Sequence, residues 1–227
     1  MKKVASALIL LFASSFVNAG ILLDNGTPTS NSQQCVASEC SGNNEWWAVS
    51  YFTTGSEDWD ITGFEFFATG AGETNYLSTN WKLFSYSSST DILKSPDSSE
   101  LLALKTSALF SGNTAATITE TTITEATTAN NINVTSFLLD DIDITLAAGN
   151  YYLAQQHVYS ESTTLTAMLT TGSSRWFNTD FENSYIKSSK IAQVIYGKIA
   201  TVPEPALMTL FGLGLLSIVF SRKKKKA

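Results

Sequence analysis

The sequence predicts an all-β protein, a jelly-roll-like sandwich of two sheets, for most of its 227 residues. Three observations favour this class. Positions 20–200 are rich in Ser, Thr, Asn and aromatic residues, and turn-forming residues separate their short apolar runs. No run in this region shows the length and period of a long helix. About nine strands with turns between them favour two packed sheets over one open sheet.

The candidate strands alternate or concentrate apolar residues over short lengths. In the sixth strand, Asp141 and Asp143 alternate with aliphatic residues, so the carboxylates should face water. Residues 147–149 then read as a hairpin turn, and 111–130 is a Thr/Ala-rich insert that could be an extended hairpin or a loop. The nine predicted strands are 47–52, 61–68, 81–87, 101–104, 117–124, 137–146, 150–157, 164–170 and 191–199.

The N-terminus has the order of a secretory signal peptide. Two lysines precede an apolar run at 4–17, and the run ends on Val17 and Ala19, the small residues that a signal peptidase requires. The alternative is a buried N-terminal helix, which explains this order less well. We therefore expect residues 1–19 to be removed and the mature chain to begin at Gly20.

The C-terminus carries a short motif, an apolar helix and a basic end. Val202-Pro203-Glu204-Pro205 precedes an apolar run at 206–220, which as a helix would extend roughly 22 Å, less than the roughly 30 Å of a bilayer core. Cations oppose translocation of the end they occupy, so that end should stay cytoplasmic and the domain outside. The stop-transfer residues are Arg222, Lys223, Lys224, Lys225 and Lys226.

These features closely resemble the PEP-CTERM sorting signal of Gram-negative bacteria, over residues 201–227. The resemblance implies that an integral membrane exosortase recognises Pro203, Glu204 and Pro205, removes the helix, and releases or re-anchors the protein outside the inner membrane. Two prolines keep the segment extended and leave the carboxylate between them accessible. The alternative is a prolyl linker before an ordinary membrane anchor.

A weaker resemblance lies in the middle of the chain. The runs 61–66, 81–86 and 142–152 follow the order of many PEP-CTERM ectodomains, the last ending in leucine, two residues, glycine, one residue and tyrosine. Those domains are mostly of unknown activity. The resemblance therefore supports the predicted fold and implies no chemistry, while the length of residues 20–200 suits one domain.

Charge excludes one class of partner. Residues 20–200 hold 7 of the 14 Lys and Arg and 19 of the 20 Asp and Glu, a formal net charge of −12. Such a surface repels phosphate backbones, so we expect no nucleic-acid binding. An acidic surface also serves simply to keep a protein soluble.

Two cysteines, Cys35 and Cys40, lie in the predicted exported region. An oxidising compartment permits a disulfide between them. Closing so short a loop would stabilise the folded state by roughly 2 kcal/mol on the chain-entropy estimate. The alternative is half of a metal site. His157 is the only histidine and no third cysteine exists, so a zinc site is disfavoured.

No pattern indicates catalysis. His157 lies in a predicted strand without a nucleophile motif, and is expected to be a half-buried strand residue. Acidic pairs suit glycoside hydrolysis or calcium binding, but no calcium-loop spacing occurs. We expect no cofactor, with calcium the one metal that composition leaves open. The carboxylates in question are Glu57, Asp58, Asp60, Asp140, Asp141 and Asp143.

Exposed indoles are the candidate glycan contacts, because their rings stack on the apolar faces of sugars. Trp46 and Trp47 are adjacent, so in a strand they point to opposite faces and one of them could be exposed. Trp59, between two aspartates in a predicted loop, is the other candidate. Core packing is the alternative for each.

The sequence thus favours a non-enzymatic surface or matrix protein, associated with exopolysaccharide or biofilm and sorted by its tail. The expected partners are the secretion machinery, an exosortase, the inner membrane before processing, and extracellular polysaccharide. A carbohydrate-binding module at the cell surface is the alternative, and a secreted glycan hydrolase is a third, weaker hypothesis.

Overall fold

The computed structural model describes residues 20–40, 46–70, 73–86, 108–124, 131–178 and 184–200, and the regular elements in these ranges are all strands. The prediction of an all-β fold is confirmed. The strands are β1 (Gly20–Asp24), β2 (Ser30–Cys35), β3 (Trp46–Thr53), β4 (Trp59–Gly70), β5 (Tyr76–Tyr86), β6 (Phe110–Thr114), β7 (Thr117–Thr124), β8 (Asn131–Leu139), β9 (Ile144–Leu146), β10 (Asn150–Tyr159), β11 (Leu165–Asn178), β12 (Ser184–Ile191) and β13 (Gln193–Ile199).

The strands pack as two sheets. The first sheet has the order β6, β5, β10, β3, followed by the second half of β11 with β12. The second has the order β1, β13, β4, β8, β7, and β9 lies beside the first residues of β4. The pairings between the named strands are antiparallel, whereas two isolated bridges, Ala37 with His157 and Cys40 with Thr163, are parallel. The two-sheet prediction is confirmed, while the jelly-roll likeness stays a prediction.

Strand β11 joins the two sheets. Its residues 165–167 pair with the end of β4, whereas residues 175–178 pair with β3. The register of β11 against β12 shifts between Thr171 and Ser174, where the strand passes from one sheet to the other. A strand that bends at such an irregularity can belong to two sheets without a loop.

The main core lies between the sheets. Strand β4 shows why, because its residues alternate between buried and partly exposed along the sequence. Complete burial of each large apolar side chain contributes roughly 1.5–3 kcal/mol. Core residues with at most 1 % exposure include Phe64, Phe66, Leu83, Phe137, Leu139, Leu153 and Ile195.

Most predicted strands are confirmed, with shifted ends. The prediction for 117–124 matches β7, and 47–52, 61–68, 150–157 and 164–170 lie within longer strands or overlap them. The candidate 101–104 lies outside the described residues. Sequence patterns missed β1, β2, β6 and β12, which are polar or short.

The predicted strand 137–146 is interrupted. Strand β8 ends at Leu139 and β9 begins at Ile144, yet the predicted alternation holds, because Ile142 is buried while Asp141 and Asp143 are exposed. The amide of Ile142 donates to the carbonyl of Thr62 at 3.2 Å. This segment therefore follows the edge of β4 without forming a continuous ladder.

The expected hairpin at residues 147–149 is wrong. Strand β9 pairs with β4 in the second sheet, whereas β10 pairs with β3 and β5 in the first. The turn therefore carries the chain between sheets. The Tyr151 hydroxyl donates to the carbonyl of Ala147 at 2.7 Å, the bond that defines a tyrosine corner. The amide of Gly149 donates to the Thr54 hydroxyl at 2.9 Å.

The insert at 111–130 contributes strands to both sheets. Strand β6 pairs with β5, and β7 forms a hairpin with β8 in which all eight residues of β7 pair in continuous register. Of the two possibilities left open by the sequence, the extended hairpin describes β7 and β8. Residues 125–130 lie outside the described residues.

Both predicted targeting segments, 1–19 and 201–227, also lie outside the described residues. In the part of the chain that the structure describes, no helix has the length and apolarity needed to cross a membrane.

Candidate functional site

A groove of about 270 Å³ lies on the outer face of the second sheet. Phe66 and Ala68 of β4 point into the core, so Phe67 between them points outward. The facing residues of β7, β8 and β13 complete the floor. The groove is lined by Asp24, Gly26, Thr27, Pro28, Phe67, Thr121, Ile123, Val134 and Val194.

The floor of the groove is apolar and well packed. Val134, Met168 and Ala192 form a small buried cluster on this outer face, and partly buried Phe67 and Ile123 pack against it. The floor of the groove is therefore formed by side chains that also pack against one another.

The turn between β1 and β2 forms one wall. The amide of Asn25 donates to the carbonyl of Gln193, and the amide of Thr29 donates to the carbonyl of Leu169, at 3.0 and 2.8 Å. Gly26 adopts a φ of 101°, and its amide donates to the Asp24 carboxylate at 2.7 Å. These bonds hold Asp24 and Thr27 at the rim.

A network of polar side chains adjoins the groove. The Glu65 carboxylate accepts bonds from the Ser136 hydroxyl and, at 2.5 Å, from the Tyr196 hydroxyl. Burial raises the pKa of Tyr196 to about 12, with further contributions from the hydrogen bond and charge of Glu65. Tyr196 therefore stays protonated and holds the carboxylate in place at neutral pH.

The groove has the chemistry of a binding surface. Its lining combines one aromatic ring, aliphatic side chains, two threonine hydroxyls and a single carboxylate. Hydrolysis of a glycosidic bond needs two carboxylates in most families, and Asp24 is the one carboxylate among the lining residues. The arrangement can bind a ligand that has both apolar and hydroxyl-bearing faces.

His157 lies inside the sandwich, away from the groove. It is completely buried, more so than the half-buried position expected from the sequence. Burial lowers its pKa to about 3, and Nε2 has no hydrogen-bond partner among the described residues. Aromatic rings surround it, with the Phe137 centroid 4.1 Å away. This environment keeps the imidazole neutral and shielded from solvent.

The Cys35–Cys40 disulfide is confirmed. It closes a loop whose Val36 and Ala37 are fully buried. The amide of His157 donates to the carbonyl of Val36 at 2.8 Å, so the loop is hydrogen bonded to β10. The bridge thus holds the end of β2 over one end of the core.

Neither Trp47 nor Trp59 is an exposed platform, which corrects that expectation. Trp59 begins β4, is 7 % exposed and stacks on Phe52 with ring centroids 5.8 Å apart. Trp47 is 6 % exposed in a second apolar cluster, where the Lys82 ammonium lies 4.8 Å from its ring. Trp46 is half-buried and packs against the main core. Trp46 and Trp47 do point to opposite faces of β3, but each ring packs against an apolar cluster.

Two of the clustered acids, Asp58 and Asp60, have structural partners. Asp58 accepts from the amide of Ala148 at 2.8 Å, and Asp60 accepts from the Thr145 hydroxyl at 2.8 Å. The Lys198 ammonium lies 3.8 Å from Asp60. Within the described residues, no group of three or more His, Cys, Asp or Glu is placed to hold a metal ion.

The groove itself was missed by sequence reasoning. Its residues come from positions 24 to 194, so no local motif joins them. One signal existed in Phe66 and Phe67, because adjacent aromatics in a strand must point to opposite faces. The predicted sorting residues Pro203, Glu204 and Pro205, and the cations from Arg222 to Lys226, lie outside the described residues.

Comparison with known families identifies the C-terminal segment. Residues 201–224 match the PEP-CTERM protein-sorting motif. No curated protein and no solved structure matches the chain. The chain therefore carries a PEP-CTERM sorting signal directly after β13, which ends at Ile199. PEP-CTERM proteins are exported and sorted to the cell surface, and the motif implies processing by exosortase.

Proposed function

We propose that this chain is a non-enzymatic surface or matrix protein that acts by its presence and adhesion in extracellular polysaccharide. The match at 201–224 carries the proposal, since it implies export and exosortase processing. The β-sandwich at 20–200 is the part delivered, after a signal peptide at 1–19 has directed it across the inner membrane. The apolar run at 206–220 serves, in this proposal, as a temporary membrane anchor before processing.

Mass spectrometry of the native protein tests the sorting step. We expect a new C-terminus near Pro203 and an N-terminus at Gly20. Substituting Pro203, Glu204 and Pro205 by alanine should leave the lysine run in place and retain the chain in the inner membrane. Ser221→Ala, in the same tail but away from Pro203, Glu204 and Pro205, is the matched control and should be processed normally. A native protein that still ends in the lysine run contradicts processing.

Carbohydrate binding at the groove is a second candidate function. The observation that favours it is the outward ring of Phe67 beside Asp24, Thr27 and Thr121. Aromatic faces stack on sugar rings, while hydroxyls and carboxylates bond to sugar hydroxyls. The groove therefore replaces the indoles as the place where a glycan would bind.

A glycan array followed by calorimetry tests this second function. We expect Phe67→Ala and Asp24→Ala to weaken binding of a recognised glycan at least tenfold. Leu77→Ala is the control, because Leu77 is 56 % exposed on β5 in the other sheet. The absence of any bound glycan on the array, or equal binding by all three variants, removes the groove as a carbohydrate site.

A further inference from the structure

The outer edge of β7 is a long and regular strand edge. Within the described residues β7 pairs only with β8, through a register that has no shift over its eight residues. An edge of this kind presents a row of backbone donors and acceptors that can pair with another strand. Proteins usually protect such edges with charged side chains, lysine above all, or with proline, a bulge or a short length.

The other strand edges in the described residues have at least one of these protections. Strands β1 and β6 have five residues each, and β1 also has a register shift. The pairings of β2 and β12 with β11 are irregular, and β12 contains Lys187 and Lys190. Strand β7 has no lysine, proline, bulge or short length, and Glu120 is its one charged residue.

The composition of β7 suits strand pairing. Its sequence contains five threonines, two isoleucines and one charge, Glu120. β-Branched residues favour extended strands, and cross-strand threonine pairs are stabilising. Apart from Ile118 and Ile123, which are partly exposed, its residues are exposed.

We propose that β7 pairs in the antiparallel direction with β7 of a second copy. The second sheet of each copy then becomes part of one continuous sheet. This inference goes beyond the proposed function and does not depend on it. The two-fold axis of such a pair stands perpendicular to the sheet, so opposed residues must lie on the same face. In such a register two opposed residues are both even-numbered or both odd-numbered, so the centre of the pair falls on a single residue.

One register satisfies geometry, overlap and charge. Centring the pair on Glu120 opposes two carboxylates, which is destabilising. Centring it on Thr121 pairs residues 118–124 of both copies and places Glu120 opposite Thr122. Registers centred on Thr119 or Thr122 overlap over fewer residues. A copy of β7 is therefore a fitting partner for β7, because only one acid per strand enters an otherwise uncharged interface.

Cysteine cross-linking of the full-length chain in detergent tests the interface. In the proposed register Thr121 faces its own copy, with Cβ atoms about 4.5–5.5 Å apart, so Thr121→Cys should form a disulfide-linked dimer under mild oxidation. Ser56→Cys, in an exposed turn, controls for random collision. We expect Thr121→Cys to cross-link at least tenfold faster. Equal rates overturn the proposal.

Sedimentation provides the second measurement. The unsubstituted chain should sediment as a dimer at high concentration, and Thr121→Lys should shift it to a monomer because it places two cations face to face at the centre of the pair. Ser56→Lys makes the same charge change away from β7 and should leave the dimer intact. A monomer at all concentrations, or a dimer that survives Thr121→Lys, rules out pairing through β7.

Discussion

The Nδ1 atom of His157 lies 2.9 Å from the Thr79 hydroxyl oxygen, inside the sandwich and between paired residues of β10 and β5. The Tyr76 hydroxyl lies 2.9 Å from the same oxygen. Because burial lowers the pKa of His157 to about 3, the imidazole is neutral in the folded protein at neutral pH, whereas in the unfolded chain it titrates near 6.5.

Acid should therefore destabilise the fold through His157. Between pH 6.5 and 3 the unfolded chain binds the proton and the folded chain does not, so the stability falls as pH falls through this window. The free energy of unfolding should drop by about 2 kcal/mol from pH 7.5 to 5 because of this one group. Urea unfolding followed by tryptophan fluorescence at several pH values measures the change.

His157→Gln is the matched variant, since its amide can still bond to Thr79 but does not titrate. Other titrating groups remain in both proteins. The difference between their pH slopes isolates the imidazole, and identical slopes would show that burial of this group does not govern acid stability.

The tyrosine corner should contribute measurably to stability. Tyr151→Phe removes the bond to the Ala147 carbonyl and keeps the ring that stacks on Phe52. We expect the free energy of unfolding to fall by about 1 kcal/mol, the usual value of one hydrogen bond. Thermal or urea unfolding measures it. Tyr51→Phe, which loses a bond to the Asn150 side chain but leaves the bond between Tyr151 and Ala147 in place, should cost less, and a reversed order would contradict a special role for Tyr151.

Removal of the disulfide should destabilise the chain more than the tyrosine change. Replacing Cys35 and Cys40 by serine frees the loop over the end of the core, and we expect a loss of about 2 kcal/mol. Unfolding with and without reductant provides the check. Reductant should lower the unfolding midpoint of the original chain and leave the serine variant unchanged; an effect on both would indicate another cause.

Gly70→Ala should lower the free energy of unfolding the most, although it adds only one carbon atom. Gly70 has a φ of 123°, and a Cβ atom there would lie 2.1 Å from the Thr164 carbonyl oxygen. We expect a loss of about 2–3 kcal/mol, from strain and clash together. Gly55→Ala separates the two causes, because Gly55 has a φ of 71° with no atom within 4 Å of a new Cβ. Equal losses at both positions would show that the clash at Gly70 relaxes.

Sequence patterns predicted the strands that carry dense apolar residues and missed those stabilised by pairing alone. The apolar residues Phe64, Phe66 and Ala68 predict β4. Strand β2 is polar and forms because β11 supplies its hydrogen-bond partners. The error at 147–149 has the same origin. The sequence of a short turn that contains glycine does not show whether the next strand pairs with the preceding strand or crosses to the other sheet.

The candidate site was less predictable than the fold. Local composition pointed to the tryptophans, yet large apolar rings gain most by burial, and Trp59 lies in the core. The groove joins Asp24, Phe67 and Thr121 through contacts between strands distant in sequence. The sorting signal is the opposite case, because its motif is contiguous in sequence and needs no tertiary contact to be recognised.

Strand β13 lies between β1 and β4 and is antiparallel to both, with Gly197 opposite Gly20 on one side and Ile61 on the other. A pulling force applied to the residues after Ala200 enters the domain along the axis of β13. The ladders on both sides are then loaded together in shear, and no single bond opens first. Mechanical load from the tail is thus shared between two hydrogen-bond ladders.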